Sequence, residues 1–366
     1  MSESATRTLL TAEIPGIGGI IKGEVEHFQV EEIPAYEPAG EGPHFFLWVE
    51  KRDVAATALL GALAERYGIE TGAIGAAGTK DRRGITGQWV SLPAQEMNEE
   101  PEPGVLAEGV EVLAVSRHGN KLRTGHLKGN RFRVAIAEVP EPDAAEARIE
   151  AKVAQLRAQG MPNYYGEQRF GRGDSTLRTG LVWVQGGRAP RKGFLKKMAA
   201  SAVQSEVFNR VVRRRLEEGS LTRAMGGDVF EKLESGGKFW VPDEELGEVQ
   251  GRIDAGELVI TGPMPGSRSG LAEAGTAAGT MERAVLEELG LREEDFERLG
   301  RLGRGTRRAL TVPLPDLIWE RQGDLFWFEF VLPAGSYATV LLAELQGRVL
   351  AGSPDMGEDS QSNVNG

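Results

Sequence analysis

The sequence predicts a protein of interspersed strands and helices built from two domains. Three observations lead there. Stretches with the two-residue alternation of strands and stretches with the 3.6-residue spacing of helices sit side by side along the chain. The length of 366 residues exceeds one ordinary hydrophobic core and suggests two domains. The texture turns Gly/Arg-rich and helical after Pro162, then changes back near Pro313.

In chain order, Ile20 to Glu32 reads as a strand or hairpin arm, and Asp53 to Tyr67 as an amphipathic helix with Ala55, Leu59, Leu60 and Leu63 on one side. A strand follows at Gln88 to Leu92, then a polar, proline-bearing surface loop from Ala94 to Gly104. Strands are predicted at Val110 to Ser116 and Asn130 to Ile136, and a helix over Asp143 to Gln159, ended by Gly160 and Pro162. A basic loop precedes the helix Lys196 to Glu217, which stops near Gly219. Asp324 to Leu332 sets Phe326, Phe328 and Phe330 against Glu329, the pattern of a half-buried strand. Ala338 to Arg348 reads as a short helix, and the polar tail after it as disordered. No internal repeat is visible.

Composition removes several function classes. With no cysteine there is no disulfide, thiolate nucleophile or thiolate metal site, and a reducing cytosol fits. No stretch reaches the length of a membrane span, and Met1-Ser2-Glu3-Ser4 lacks the basic region of a secretory signal. The four histidines, His27, His44, His118 and His126, show no metal-binding spacing, and no Gly-x-Ser-x-Gly elbow appears. Arg283 to Leu291 resembles the end of a Nudix box, but Ala284, Gly275 and Ser269 stand where that box needs Glu, Glu and Gly.

The net charge of −11 argues against indiscriminate nucleic-acid binding, yet the charge is segregated. From Arg117 to Arg133 there are six Lys/Arg and no Asp/Glu; from Arg188 to Arg215 there are nine against the single Glu206. Such runs are either solvated faces or the walls of one positive cleft on an acidic body.

The most informative segment is Ala77-Gly78-Thr79-Lys80-Asp81-Arg82-Arg83-Gly84, on a connection between a helix and a strand. Lys80, Arg82 and Arg83 favour an ionised Asp81 and attract an anionic substrate. The residues fit a charged turn or a reactive aspartate. A P-loop is excluded, because a carboxylate follows the lysine where a hydroxyl is required. Gly119 to Phe132 offers amides and cations on flexible backbone; Gly160 to Gly171 adds Tyr164 and Tyr165, read as able to be exposed, with Gln168 and Arg169. Such mixtures suit RNA, which is read by stacking and by hydrogen bonds to base edges.

Four motifs in order, Gly78-Thr79-Lys80-Asp81-Arg82, Gly125-His126-Leu127-Lys128-Gly129-Asn130-Arg131-Phe132, Pro162 to Gly171, and Leu332-Pro333-Ala334-Gly335-Ser336-Tyr337-Ala338-Thr339, closely resemble the tRNA pseudouridine synthase D family. The likeness runs from about Ile20 to Leu345. It implies conversion of a uridine at position 13, in the D-arm region of tRNA, to pseudouridine, with no cofactor or metal. Asp81 matches the catalytic aspartate, which assists cleavage of the base-to-ribose bond by covalent attack or by enabling proton abstraction from the sugar. The target base must leave its stack to be reached.

Phe28 matches an aromatic that contacts the target nucleotide, although the residues alone equally fit a core aromatic on a strand. Asn130 matches an asparagine that binds the nucleotide, and Tyr337 an aromatic that stacks on the base. The family often has phenylalanine there, so Tyr337 adds a hydroxyl able to accept or donate a proton. Lys22 is expected to be a charge partner of Asp81, and Lys80, Arg82, Gln168 and Arg169 complete the expected substrate-binding set. The implied architecture is α+β: a pseudouridine synthase catalytic domain, residues 1–159 and 312–350, on a mixed, largely antiparallel sheet with flanking helices. An α/β domain, 160–311, is inserted, and 351–366 form a disordered tail. The expected partner is tRNA, with no membrane and no metal, for a cytoplasmic monomer; the alternative is a non-catalytic RNA-binding protein or chaperone on the same fold.

Overall fold

Alternation of apolar and polar residues is realised in one ten-stranded sheet. Its strands are β1 (Ile20–Ile21), β2 (Phe28–Pro34), β3 (His44–Arg52), β4 (Gly75–Ala76), β5 (Ile85–Pro93), β6 (Gly104–Ala107), β7 (Val110–His118), β8 (Leu127–Ala137) and a C-terminal hairpin, Ile318–Gln322 with Leu325–Pro333. The hairpin stands beside β8, followed by β2, β5, β3, β7 and β6; β1 pairs with β8 and β4 with β5. Among the described residues only β2 with β5 runs parallel within this sheet, so it is mixed and largely antiparallel, as the resemblance implied. A parallel pair needs a long crossover, and the chain from Ala35 to Gly84 supplies it and carries Asp81. This computed structural model describes residues 7–348; the predicted tail, 351–366, lies outside the described residues.

Helix α1 (Ala56–Tyr67) covers one face of the sheet. Its Leu59, Leu63 and Tyr67, four residues apart, pack on Phe45, Leu47 and Val49 of β3, Val90 and Leu92 of β5, and Val110 and Val112 of β7. Each such leucine contributes about 1.5–3 kcal/mol by burial. Gly68, at φ 67°, ends the helix in the left-handed conformation that costs glycine least. Phe46 points the other way and joins Ala77 and Leu122 in a smaller cluster with Tyr36, Trp89 and Leu127 against it.

Contacts divide the chain into two units. The first comprises Ile17–Ile149 and Leu314–Ala338 and holds the large sheet. The second comprises, among the described residues, 7–16, Glu150–Pro313 and 339–348, the division falling inside α2 (Pro142–Gln159). This second unit contains α3 (Ser175–Val184), α4 (Gly193–Glu217) and a four-stranded antiparallel sheet in the order Lys238–Trp240, Val229–Lys232, Leu258–Met264, Thr306–Ala309. Helix α4 buries Val203, Val207, Phe208 and Val211. A Cβ on Gly180 of α3 would lie 2.4 Å from the Ala199 carbonyl oxygen, so glycine is what lets α3 approach α4.

The second unit also joins both ends of the described chain. The buried Lys152 ammonium donates to Thr11 Oγ1 (2.7 Å), the Thr11 carbonyl (3.2 Å) and the Glu344 carbonyl (2.8 Å). The Glu344 carboxylate accepts from the backbone N–H groups of Leu10 and Thr11, each at 2.9 Å, and from Thr11 Oγ1 at 2.8 Å. Burial pushes the Lys152 pKa down to about 8 against the opposing pull of Glu344, and pushes the Glu344 carboxyl up. Gly16 packs so closely on Gln346 and Gly347 that a Cβ would lie 2.1 Å from the Gln346 carbonyl oxygen.

Candidate active site

Asp81 lies on the connection from β4 to β5, drawn tightly against β2. At Gly84, φ is 143°, and a Cβ would lie 2.5 Å from the Phe28 carbonyl oxygen and 3.0 Å from its ring. The half-buried Asp81 carboxylate has the Lys22 ammonium 3.7 Å from Oδ2. Lys22 itself holds φ at 59°, a conformation non-glycine residues rarely adopt, and its ammonium stands 3.8 Å from the centre of the Phe28 ring. Burial lowers the Lys22 pKa, while the Asp81 charge acts in the opposite direction. From β3, the fully buried Lys51 ammonium donates to the Val54 carbonyl at 2.7 Å and to the Asp81 carbonyl.

Lys80 turns to the strands. Its ammonium donates to Asn130 Oδ1 at 2.5 Å and stands 3.0 Å from Glu32 Oε2. Glu32 of β2 and Leu332 of the hairpin flank Asn130 of β8 in register, so a row across three strands ends at the Asp81 segment. Beyond Leu332 the chain turns through Gly335 at φ 85°, with Ser336 N–H donating to the Pro333 carbonyl and Ala334 N–H to the Lys128 carbonyl. Half-buried Tyr337 follows this turn, at the mouth of the final helix, Ala338–Gln346. Phe28 is only 3% exposed, edge-on to Phe132, which stacks on Phe330 with centroids 5.2 Å apart.

Lys22, Phe28, Lys80, Asp81, Arg82, Asn130 and Tyr337 all belong to the first unit, and contacts tie Lys22, Phe28, Asp81, Lys80 and Asn130 together. Gln168 and Arg169 belong to the second unit, in the turn Glu167–Phe170. Gln168 is exposed; Arg169 donates to Ser205 Oγ at 3.4 Å and lies over the Tyr165 ring. Tyr164 and Tyr165 are buried rather than open for stacking: the Tyr164 hydroxyl donates to the Thr8 carbonyl, and the Tyr165 N–H to Asn209 Oδ1. Their aromatic area completes a core, which a sequence rich in glycine and amides disguises.

The basic runs resolve into paired and unpaired cations. Arg117 donates to Glu100, and Arg133 to Glu329 and Glu320. Among the described residues Lys121 donates only to the Gly72 carbonyl. Arg82, Arg123, Lys128 and Arg131 are exposed and meet no acid among the described residues. In the second unit Arg188, Arg191, Lys192, Lys196 and Lys197 likewise have no ion pair among the described residues. His126 Nδ1 and the Tyr36 hydroxyl share a hydrogen bond of 2.7 Å, and the His118 ring stacks on Tyr36.

Two functional candidates escaped the sequence reading, Glu32 and Lys51. A signal for each exists: Glu32 shares the period-two face of Phe28 and Val30, and Lys51 that of Phe45, Leu47 and Val49, so both charges point inward. Among the described residues no group of three or more His, Asp or Glu is placed to hold a metal ion, and no helix is long and apolar enough to cross a membrane.

The sequence model of the tRNA pseudouridine synthase D (TruD) family matches residues 5–187 and 191–345. The chain belongs to that family. It is a family of enzymes, tRNA pseudouridine synthases, which are isomerases. The chain is 41% identical over 343 residues to the tRNA pseudouridine synthase D of Anaeromyxobacter dehalogenans (strain 2CP-C), covering 92% of this chain and 95% of the relative. It is also 41% identical over 338 residues to a tRNA pseudouridine synthase D of Thermus thermophilus, covering 92% of this chain and 91% of the relative. A solved structure from Methanosarcina mazei assigned to tRNA pseudouridine synthase D shares the fold, with a TM-score of 0.76 and 24% identity over 93% of this chain and 96% of that one.

Proposed function

We propose that the protein isomerises a uridine of tRNA, at position 13 in the D-arm region, to pseudouridine, with Asp81 as the catalytic residue. The reaction breaks the ribose C1′–N1 bond, rotates the uracil, joins C1′ to C5, and exchanges the C5 proton for one on N1. Asp81 acts at the ribose. Lys22 balances its charge, and Lys51 anchors its backbone through the carbonyl. Asn130 binds the extruded nucleotide and Tyr337 stacks on the base. Phe28 supports Lys22 from below and contacts the same nucleotide. Arg82, Gln168 and Arg169 serve substrate binding, and Lys80 serves it through Asn130.

The observation that carries this reading is the Lys80–Asn130 hydrogen bond, which fastens the Asp81 segment to a strand 50 residues away in sequence. A charged turn serving only as a connection has no need of a lysine buried between a glutamate and an asparagine. The chemistry needs no cofactor or metal, and we assign it to a cytoplasmic monomer. Its catalytic domain is residues 1–159 and 312–350, with 160–311 inserted.

The test is release of tritium from tRNA carrying C5-tritiated uridine. Wild type releases label, and pseudouridine maps to position 13. Asp81→Asn abolishes release while its tRNA affinity stays within about threefold, since one carboxylate in the pocket contributes little beside phosphate contacts. Binding without release by wild type would leave a non-catalytic RNA-binding protein.

A further inference from the structure

Glu32 sits where a carboxylate is expensive. Its side chain is fully buried, and among the described residues its one opposite charge is Lys80, 3.0 Å from Oε2. Neither of its oxygens makes a well-aligned hydrogen bond. A buried ion pair contributes little net stability, because desolvation offsets the attraction, but it holds geometry firmly. What it holds here is Lys80, and Lys80 also reaches Asn130, the direct cross-strand partner of Glu32.

The pair dictates which way the Asn130 amide faces. An ammonium has three donors and no acceptor, so the atom of Asn130 it meets at 2.5 Å is necessarily the carbonyl oxygen. The Asn130 NH2 group is thereby turned away from Lys80, and among the described residues no acceptor takes its two N–H donors. Were Lys80 released, the amide could rotate and present its oxygen to the same place, where a nucleotide oxygen would meet repulsion instead of a donor.

We propose that Glu32 is a positioning residue, acting through Lys80 on the Asn130 carboxamide so that its N–H groups face an acceptor oxygen of the target nucleotide. This rests on the tRNA-isomerase reading above. It adds a residue two steps from the substrate whose removal damages turnover through Asn130 alone.

The experiment is a mutant cycle on the full chain, with tritium release giving kcat and KM, and labelled tRNA giving Kd. Glu32→Gln, nearly isosteric, lowers kcat by about 10- to 100-fold with Kd within about twofold. In an Asn130→Ala background the same change lowers kcat by less than about threefold further, because the group it positions is gone. A merely structural role predicts its full factor in both backgrounds, and that outcome overturns the inference, as does a Glu32→Gln enzyme within about threefold of wild type. If Glu32→Gln loses cooperative melting, the same coupling is read between Lys80→Met and Asn130→Ala, where additivity is again the refuting result. Absence of release by wild type defeats the functional reading itself; release by wild type with additive variants defeats only the role of Glu32.

Discussion

Removing the exposed cations that no acid neutralises should change the salt dependence of tRNA binding by a countable amount. Arg123, Lys128 and Arg131 are such residues, on or beside the strand that carries Asn130. Arg117 and Arg133, from the same basic run, already face Glu100 and Glu329. A cation that meets a phosphate releases condensed counterions and adds about 0.7–0.9 to the slope of log affinity against log salt. The triple variant to alanine therefore lowers the magnitude of that slope by about 2 to 3. Between 50 and 200 mM salt, the affinity advantage of wild type over this variant shrinks about 20- to 40-fold. Fluorescence anisotropy with labelled tRNA at four or more salt concentrations reads the slope directly. The double variant Arg117→Ala/Arg133→Ala is the control and moves it by less than about one. An unchanged slope in the triple variant, or an equal loss in the control, would refute the idea that local pairing decides which cations meet RNA.

Two further outcomes follow from backbone strain and from burial. Gly84→Ala introduces a Cβ 2.5 Å from the Phe28 carbonyl oxygen at φ 143°, so it should cost more than about 1 kcal/mol in urea unfolding and lower tritium release more than about tenfold; near-wild-type turnover would show that the connection tolerates a shift. Lys152 holds a folded pKa of about 8, below its ordinary 10.5, so the folded state drops this proton first and the residue's contribution to stability rises from about pH 8 to 10.5. Below that window its cost is constant. Urea unfolding should show wild type gaining about 3 kcal/mol on Lys152→Met across the window, and a pH-independent difference would contradict the assigned burial cost.

Legibility in the sequence followed exposure only in part, since the mostly buried Gln88–Leu92 was also read as a strand. The strands at Gln88–Leu92, Val110–Ser116, Asn130–Ile136 and Asp324–Leu332 betrayed themselves, the last by alternation, and each lies within or overlaps an observed strand. Strand β3 did not, since Phe45, Phe46 and Leu47 are all buried and its apolar run has no period. Leu258–Met264 failed for the same reason, buried at all seven positions. The Asp81 segment was legible as an island of charge among glycines, and Lys22 as its partner stands 3.7 Å away, but Glu32 and Lys51 were hidden because charges on strands are ordinarily assigned to water.

Because Leu10, Thr11 and Gly16 close against Glu344 and Gly347, Thr11 waits for a partner made 333 residues later. During synthesis the large sheet is likewise short of its closing hairpin until residue 333 has emerged. A nascent protein stalled before Leu332 would lack the strand that flanks Asn130, and its Leu10 and Thr11 N–H groups would still lack the Glu344 carboxylate.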